Sequence, residues 1–143
     1  LSYVNAERAK RGIAPLTENA SLDQVAQTRA GQINTNFDHW DSAHNFICQQ
    51  VAKQLNATTP TAEVINTEFT GDMGYTSEND QGIYNAKDAA KADIYDYIYD
   101  DANNNWEHRT ILLSSKYTQI GMGAVNQPND ASGASYYSTA DLA

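Results

Sequence analysis

The sequence predicts an α+β fold, in which helices occupy the first two thirds of the chain and paired strands follow. Apolar residues recur at helical spacing through residues 22–33, which predicts an amphipathic helix. Two strand-like segments, residues 117–125 and 135–139, enclose a segment rich in turn-forming residues, an order typical of a hairpin. Helices early and strands late favour a layered α+β domain. With 143 residues, the chain has the usual size of one domain, which we expect to span residues 1–143.

Two helices are predicted at the start of the chain. Leu1, Val4 and Arg8 lie at helical spacing, and Gly12 provides a stop for the first helix. Residues 21–24 match the capping-box pattern, which predicts that the second helix begins with Ser21 as its N-cap.

The middle of the chain predicts two further helices. Apolar spacing through residues 46–55 favours a third helix, and residues 85–88 match the start of a fourth helix that ends near Asp101. Residues 62–65 between them fit either a strand or an irregular segment.

The net charge excludes some classes of partner. The chain has 9 Lys and Arg against 18 Asp and Glu, a formal charge of -9, which repels phosphate backbones, so we expect no nucleic-acid partner. No apolar run approaches the roughly 18 residues of a membrane-spanning helix, so no transmembrane segment is predicted. The chain opens at Leu1 in a helix already under way, and we expect a processing boundary there, with any signal peptide upstream.

The sequence contains one cysteine, Cys48. One cysteine excludes an intramolecular disulfide and a multi-cysteine zinc site. Cys48 lies in the apolar segment FICQQV, so we expect a buried small side chain, because reactive thiols favour partly exposed, electropositive surroundings. No serine lies in a G-x-S-x-G motif. Nucleophilic catalysis is therefore weakly supported.

Histidines are the residues most suited to a reactive site, because imidazole ligates metals and titrates near neutral pH. His39 lies between an acid and an aromatic residue, and His108 lies in WEHRTILL, residues 106–113. Taken alone, each fits a polar structural or surface residue. No HExxH motif is present, so a metal site would need distant segments brought together. We expect Trp106 and residues 111–113 to anchor a corner in the core before a strand.

Six segments of the sequence form an ordered set of motifs. In chain order they are VNAERAKRGIAPL (4–16), SLDQVAQTRA (21–30), FDH (37–39), SEN (77–79), WEHRTILL (106–113) and YTQIGMG (117–123). Together they resemble the CAP superfamily, also called SCP-like domains, of the bacterial secreted type. The resemblance implies a three-layer α-β-α sandwich around a central antiparallel sheet, in a secreted or cell-surface protein.

The resemblance also implies a central cleft lined by two histidines and two acids. Matched residue by residue, the cleft consists of His39, Glu78, Asp100 and His108. In some members this cleft holds a divalent metal, and His39, His108 and Glu78 match its ligands, with Zn²⁺ as the expected ion. Asp100 stands where the family carries Glu, and it is shorter by one methylene.

Two neighbours of His108 are second-rank candidates for the cleft. Glu107 stands where bacterial members often carry a small residue, and we expect its side chain to point to solvent, because adjacent side chains diverge. Arg109 is expected to pair with a nearby carboxylate.

Three functions are compatible with this pattern. The favoured one is an extracellular binding module whose cleft accepts a ligand or a cell-wall or host-surface component. The first alternative is a metal-dependent hydrolase acting on peptide or cell-wall material, with Glu78 as general base and metal-bound water as nucleophile. The second alternative is a structural His/acid network, with function in loops such as residues 58–72 or in further domains. The sequence leaves the ligand and the oligomeric state open.

Overall fold

The computed structural model of the protein describes residues 1–69, 86–126 and 134–143. The elements of these residues, in chain order, are α1 (Ser2–Ala9), β1 (Thr17–Glu18), α2 (Ala20–Ile33), α3 (Ile47–Leu55), β2 (Ala62–Phe69), α4 (Ala86–Tyr99), a 3-10 turn (Ala102–Asn104), α5 (Glu107–Leu112), β3 (Gln119–Asn126) and β4 (Ala134–Leu142). Across these three ranges, every helix is too short or too polar to span a membrane.

The four strands form one sheet in the order β1-β3-β4-β2. β4 lies between β3 and β2 and pairs antiparallel with both. β1 adds a short parallel pair to β3 through Thr17 and Glu18. The predicted α+β fold is therefore confirmed, and the alternative left open at residues 62–65 is settled as a strand.

Helices cover both faces of this sheet, which gives the three expected layers. On one face, α2 packs against β3 and β4, and Ile33 of α2 contacts Ile65. α3 lies beside α2. On the other face, α1, α4 and α5 enclose the main apolar cluster, in which Val64 and Ile120 of the sheet pack with Leu112. Strand side chains alternate between these two environments, as the period of two requires.

The second helix begins two residues earlier than the capping-box pattern predicts. Asn19 is its N-cap, because the Asn19 side-chain oxygen accepts hydrogen bonds from the backbone N–H groups of Ser21 at 2.9 Å and Leu22 at 3.3 Å. The prediction of Ser21 as N-cap is wrong. The Ser21 hydroxyl instead donates to Asn19 and bonds to the Thr58 hydroxyl. The predicted start of the fourth helix at residue 85 lies just outside the described residues.

Residues 107–112 form a helix, where the sequence suggested a corner before a strand. Leu112 is fully buried, and Ile111 and Leu113 pack against the core as predicted. Trp106, however, is 38% exposed, so the prediction that it anchors the core is wrong. The guanidinium of Arg109 lies over its ring, 5.3 Å from the ring centroid, and this contact replaces the predicted pairing with a carboxylate.

A buried arginine ties α1 to the end of α5. Arg8 is 1% exposed, and its Nη1 donates to the carbonyls of Leu112 at 2.7 Å and Ser114 at 2.9 Å. The last carbonyls of a helix have no partner within the helix. Arg8 therefore stabilises the end of the helix that carries His108.

α2 lies against β3 at a separation that only glycine permits. A Cβ added to Gly121 would lie 2.0 Å from the carbonyl carbon of Leu22, and one added to Gly123 would lie 2.3 Å from the backbone nitrogen of Gln27. Real Cβ atoms do not approach backbone so closely. Any larger residue at these positions must push α2 off the sheet.

We expect Gly121→Ala to lower the free energy of unfolding by about 3 kcal/mol, because the added methyl overpacks the α2–β3 contact. Gly31→Ala is the matched control, since a Cβ at Gly31 in α2 meets nothing within 4 Å. It should raise the free energy of unfolding by about 0.5–1 kcal/mol through helix propensity. Urea unfolding followed by circular dichroism measures both, and a Gly121→Ala variant as stable as wild type would contradict the close packing.

Candidate functional site

His39 belongs to a buried charged network beneath α2. Its Nδ1 lies 2.7 Å from Glu63 Oε2. Arg29 donates to the same carboxylate, from Nε to Oε1 at 2.7 Å and from Nη2 to Oε2 at 3.2 Å. The Glu63 side chain is fully buried, whereas that of His39 is 30% exposed. Arg29 Nη2 also donates to the Asp38 carbonyl at 2.7 Å, which holds the backbone next to His39. α2, β2 and the segment before α3 thus meet in one network.

Two further titratable groups lie beside Glu63. Asp141 is its paired residue on the neighbouring strand β4, and ligand atoms of Cys48, Glu63 and Asp141 all lie within 4.8 Å of one another. Burial, and then the negative charge of Glu63, raise the pKa of Asp141 to about 8. Burial also raises the pKa of the Cys48 thiol above its usual range. Cys48 is therefore buried and protonated near neutral pH, as the sequence predicts for a thiol that is not a nucleophile.

His108 forms a second histidine–carboxylate pair. Its Nδ1 lies 2.8 Å from Oδ1 of Asp101, which is 1% exposed. Asp101 also accepts hydrogen bonds from Asn104 Nδ2 at 3.0 Å and from the Arg109 backbone N–H at 3.2 Å. The His108 ring packs against Tyr97, with 5.0 Å between ring centroids. The turn after α4 therefore fixes Asp101, and Asp101 fixes the orientation of the His108 ring.

The two pairs approach β2 from opposite faces of the sheet. Glu63 points to the face that carries Arg29 of α2, whereas Asn66 lines a cavity together with His108. Positions 63 and 66 are three positions apart along the strand, an odd spacing, so their side chains project to opposite faces. Within the described ranges, the one group of three or more metal-ligating side chains contains neither histidine.

The orientation of both histidine rings suits a metal ligand. Each Nδ1 is held by a buried carboxylate, the arrangement that orients ligating histidines in carboxylate–histidine–zinc triads. In the part of the chain that the structure describes, each Nε2 is free of hydrogen bonds. The third predicted ligand, Glu78, lies outside the described residues. The metal set His39, His108 and Glu78 therefore stays a prediction.

The remaining predicted cleft residues lie around His108. Asp100 is exposed and lines, with His108, a polar cavity of about 160 Å³. The acid in contact with the ring is its neighbour Asp101. The Glu107 side chain is exposed to solvent.

Glu63 and Asp101, the two carboxylate partners, were not predicted from the sequence. The sequence does contain a feature that could have identified Glu63. An acid inside the apolar run of residues 62–65 must have a hydrogen-bond or ion-pair partner if that run is a buried strand. Asp101 follows Asp100 directly. Only the course of the chain after α4 decides which of these two acids turns inward.

A larger cavity lies between α1, α4 and the sheet. Its volume is about 400 Å³, and Tyr3, Ile94, Tyr97 and Met122 supply largely apolar walls. Ser138 of β4 also lines it, and the Ser138 hydroxyl is buried without a hydrogen-bond partner. Small-molecule sites typically have this size and composition, with apolar walls and a few polar groups.

The raised pKa of Asp141 makes stability depend on pH. Asp141 titrates at about 8 in the folded protein and at about 4 in the unfolded chain. Between these values the folded state binds one proton more, so the free energy of unfolding falls as pH rises, by about 1.4 kcal/mol per pH unit. Above pH 8 this contribution is lost.

Asp141→Asn should flatten the dependence of the unfolding free energy on pH between pH 5 and 8, measured by urea unfolding with chelator present. Exposed Asp100→Asn is the control, and the same slope in Asp141→Asn as in wild type would contradict the shift.

The chain matches the family model described as CAP, the Cysteine-rich secretory protein family, over residues 1–142. An outer surface protein from Borrelia burgdorferi has a similar structure, with a TM-score of 0.61 and 14% identity over 99% of this chain and 86% of that chain. A cysteine-rich secretory protein from Staphylococcus aureus has a TM-score of 0.55 and 17% identity over 99% of this chain. An extracellular protein containing an SCP domain from Bacillus anthracis has a TM-score of 0.57 and 13% identity over 97% of this chain.

These structural similarities concern the fold, since all three identities are low. The chain spans 36% of the Staphylococcus chain and 37% of the Bacillus chain. No curated protein matches the sequence. The family model, in contrast, covers nearly every residue, and the sheet and helix layers are those that the resemblance implied. The chain belongs to the CAP, or cysteine-rich secretory protein, family.

Proposed function

We propose that this CAP domain is an extracellular binding module that holds a small, largely apolar ligand in the cavity between α1, α4 and the sheet. The observation that carries the proposal is the cavity of about 400 Å³ lined by Ser138, whose buried hydroxyl has no hydrogen-bond partner. An extracellular location is supported by the similar structures, which come from proteins described as an outer surface protein and an extracellular protein.

The cavity chemistry favours binding over covalent catalysis. The Ser138 hydroxyl has no hydrogen-bond partner, so no base activates it as a nucleophile. A buried hydroxyl without a partner costs about 1–3 kcal/mol, and a ligand that hydrogen-bonds to it removes this cost. The ligand class that fits is an apolar body with one hydrogen-bonding group, because apolar walls bind the body and Ser138 orients the polar group.

The fluorescent amine N-phenyl-1-naphthylamine is a suitable probe, since it is apolar and carries one N–H donor. We expect saturable binding at one site per chain, measured by its fluorescence increase. Ser138→Leu fills part of the cavity and removes the hydroxyl, so it should weaken binding by about tenfold or more, which corresponds to about 1.4 kcal/mol. Its folded state should be at least as stable as wild type, because an unpartnered polar group is lost.

Ser115→Leu is the matched control, because Ser115 is exposed and lies outside this cavity. Unchanged dye affinity in Ser138→Leu, together with a native circular dichroism spectrum, would place the ligand elsewhere. Absence of saturable dye binding to the wild-type protein would contradict the proposal that this cavity is the ligand site.

A metal-dependent hydrolase acting on peptide or cell-wall material is the second candidate, favoured by the carboxylate-held Nδ1 atoms of His39 and His108. β2 is the outer strand of the described sheet, so the two histidines would have to hold the ion past its free edge, with Glu78 as a third ligand or as general base. The ion would supply an acidified water. The chain's own contribution is to orient both imidazole rings through Glu63 and Asp101.

The second candidate predicts Zn²⁺ binding that depends on both histidines. In a Cys48→Ala background, which removes the thiol, calorimetry should show one Zn²⁺ per chain, and adding His39→Ala with His108→Ala should abolish it. His44→Ala is the control, because His44 is exposed and stacks on Trp40. Zn²⁺ binding that survives in the double-histidine variant would overturn this candidate. Loss of folding in that variant would instead favour a structural role for the Arg29–Glu63–His39 network.

A further inference from the structure

We propose that Cys48, Glu63 and Asp141 form a buried binding site for a divalent cation of the zinc class, separate from the histidine-based site discussed above. The three side chains come from α3, β2 and β4. The Cys48 sulfur and one carboxylate oxygen from each of the two acids all lie within 4.8 Å of one another. Two ligands of one tetrahedral Zn²⁺ lie about 3.5 Å apart, given bonds of about 2.3 Å to sulfur and about 2.0 Å to oxygen. Small side-chain movements therefore bring all three onto one ion.

The buried side chain of Asp141, whose two oxygens have no hydrogen-bond partner, is the observation that points to a cation. Asp141 is 0% exposed, and both of its oxygens are buried without a hydrogen-bond partner. A buried polar group is normally hydrogen-bonded, and a buried charge is normally paired or bound to a metal. The Cys48 thiol beside it is only a weak hydrogen-bond donor, so Asp141 lacks the strong partner that its position demands.

Arg29, the positively charged side chain near Asp141, already donates its hydrogen bonds to other acceptors. Arg29 donates from Nε and Nη2 to Glu63, from Nη1 to the Gln32 side chain at 3.0 Å and from Nη2 to the Asp38 carbonyl. Its charge balances that of Glu63. Ionised Asp141 and a Cys48 thiolate would then leave two negative charges, which one divalent cation neutralises.

The thiolate and the two carboxylates determine which metal ions the site favours. A thiolate with two carboxylates suits Zn²⁺ or its analogue Cd²⁺, because sulfur ligands favour the softer divalent metals. Ca²⁺ and Mg²⁺ prefer oxygen ligands alone. The second carboxylate, Glu63, retains lone pairs for a metal beside its bonds to Arg29 and His39, since an ionised carboxylate offers about four acceptor positions.

The single cysteine makes the site testable with Cd²⁺ alone. Cys48 is the only thiol of the chain, so an ultraviolet thiolate-to-Cd²⁺ charge-transfer band from the folded protein arises at Cys48. The site is enclosed, so Cd²⁺ is supplied during refolding from urea, with excess removed by dialysis. We expect a full band at one Cd²⁺ per chain and a higher melting temperature than that of protein refolded without metal.

Asp141→Asn keeps the side-chain shape but removes the charged ligand, and it should weaken Cd²⁺ binding by roughly tenfold or more. Asp100→Asn is the matched control, and His108→Ala separates this site from the histidine-based candidate; both should keep the band. A folded wild type without the band, or an undiminished band in Asp141→Asn, would overturn the proposal.

A second variant, Cys48→Ala, tests the metal site if Asp141→Asn does not fold. Cys48→Ala replaces one small helical residue by another, so it should fold. It should lose the Cd²⁺-dependent rise in melting temperature that wild type shows. The same rise in Cys48→Ala would show that the stabilising ion binds elsewhere and would overturn the proposal.

Discussion

The ion pair between Arg29 and Glu63 is the contact on which the α2 face of the sheet depends. Both side chains are removed from water, and a charge left alone in such a place costs about 3–5 kcal/mol when its partner is lost. Arg29 can satisfy its donors only if α2, β2 and the Asp38 carbonyl are all in place. His39 is held by the same carboxylate, so its position follows from this pair. Arg29 does not serve Asp141 for the same reason, because its guanidinium is already bound to Glu63, and both oxygens of Asp141 are left without a hydrogen-bond partner.

The two faces of the sheet differ in how closely their helices pack, and this difference separates their roles. α2 rests directly on the backbone of β3 at Gly121 and Gly123, and its face combines small apolar clusters with the compact Arg29–Glu63 network. On the opposite face, Tyr3 of α1, Ile94 of α4 and Met122 of β3 line a cavity between the helices and the strands. One face therefore suits charge and metal chemistry, whereas the other suits an apolar ligand.

Much of the fold could be predicted from the sequence, because its signals are local. Helical spacing predicted α2 and α3, and two strand-like segments around a turn-rich stretch predicted β3 and β4. The candidate site was predicted only in part. His39 and His108 were singled out from motifs, but their partners Glu63 and Asp101 were not, since a partner is defined by a neighbour that is distant in sequence or by a turn. The error at Ser21 has a local cause: Asn19 competes for the same N–H groups and lies in the extended conformation that an N-cap requires.

By itself, the sequence determined the fold class, the family and the acidic surface, because periodicity, ordered motifs and charge are all properties of the chain. Only the tertiary structure decided which carboxylate meets which histidine, that Cys48 lies beside Glu63 and Asp141, and that Ser138 borders a cavity. These are contacts between segments far apart in the chain. Strand register and helix packing set them to within a few ångströms, and a change of register by one residue turns every side chain of a strand to the other face.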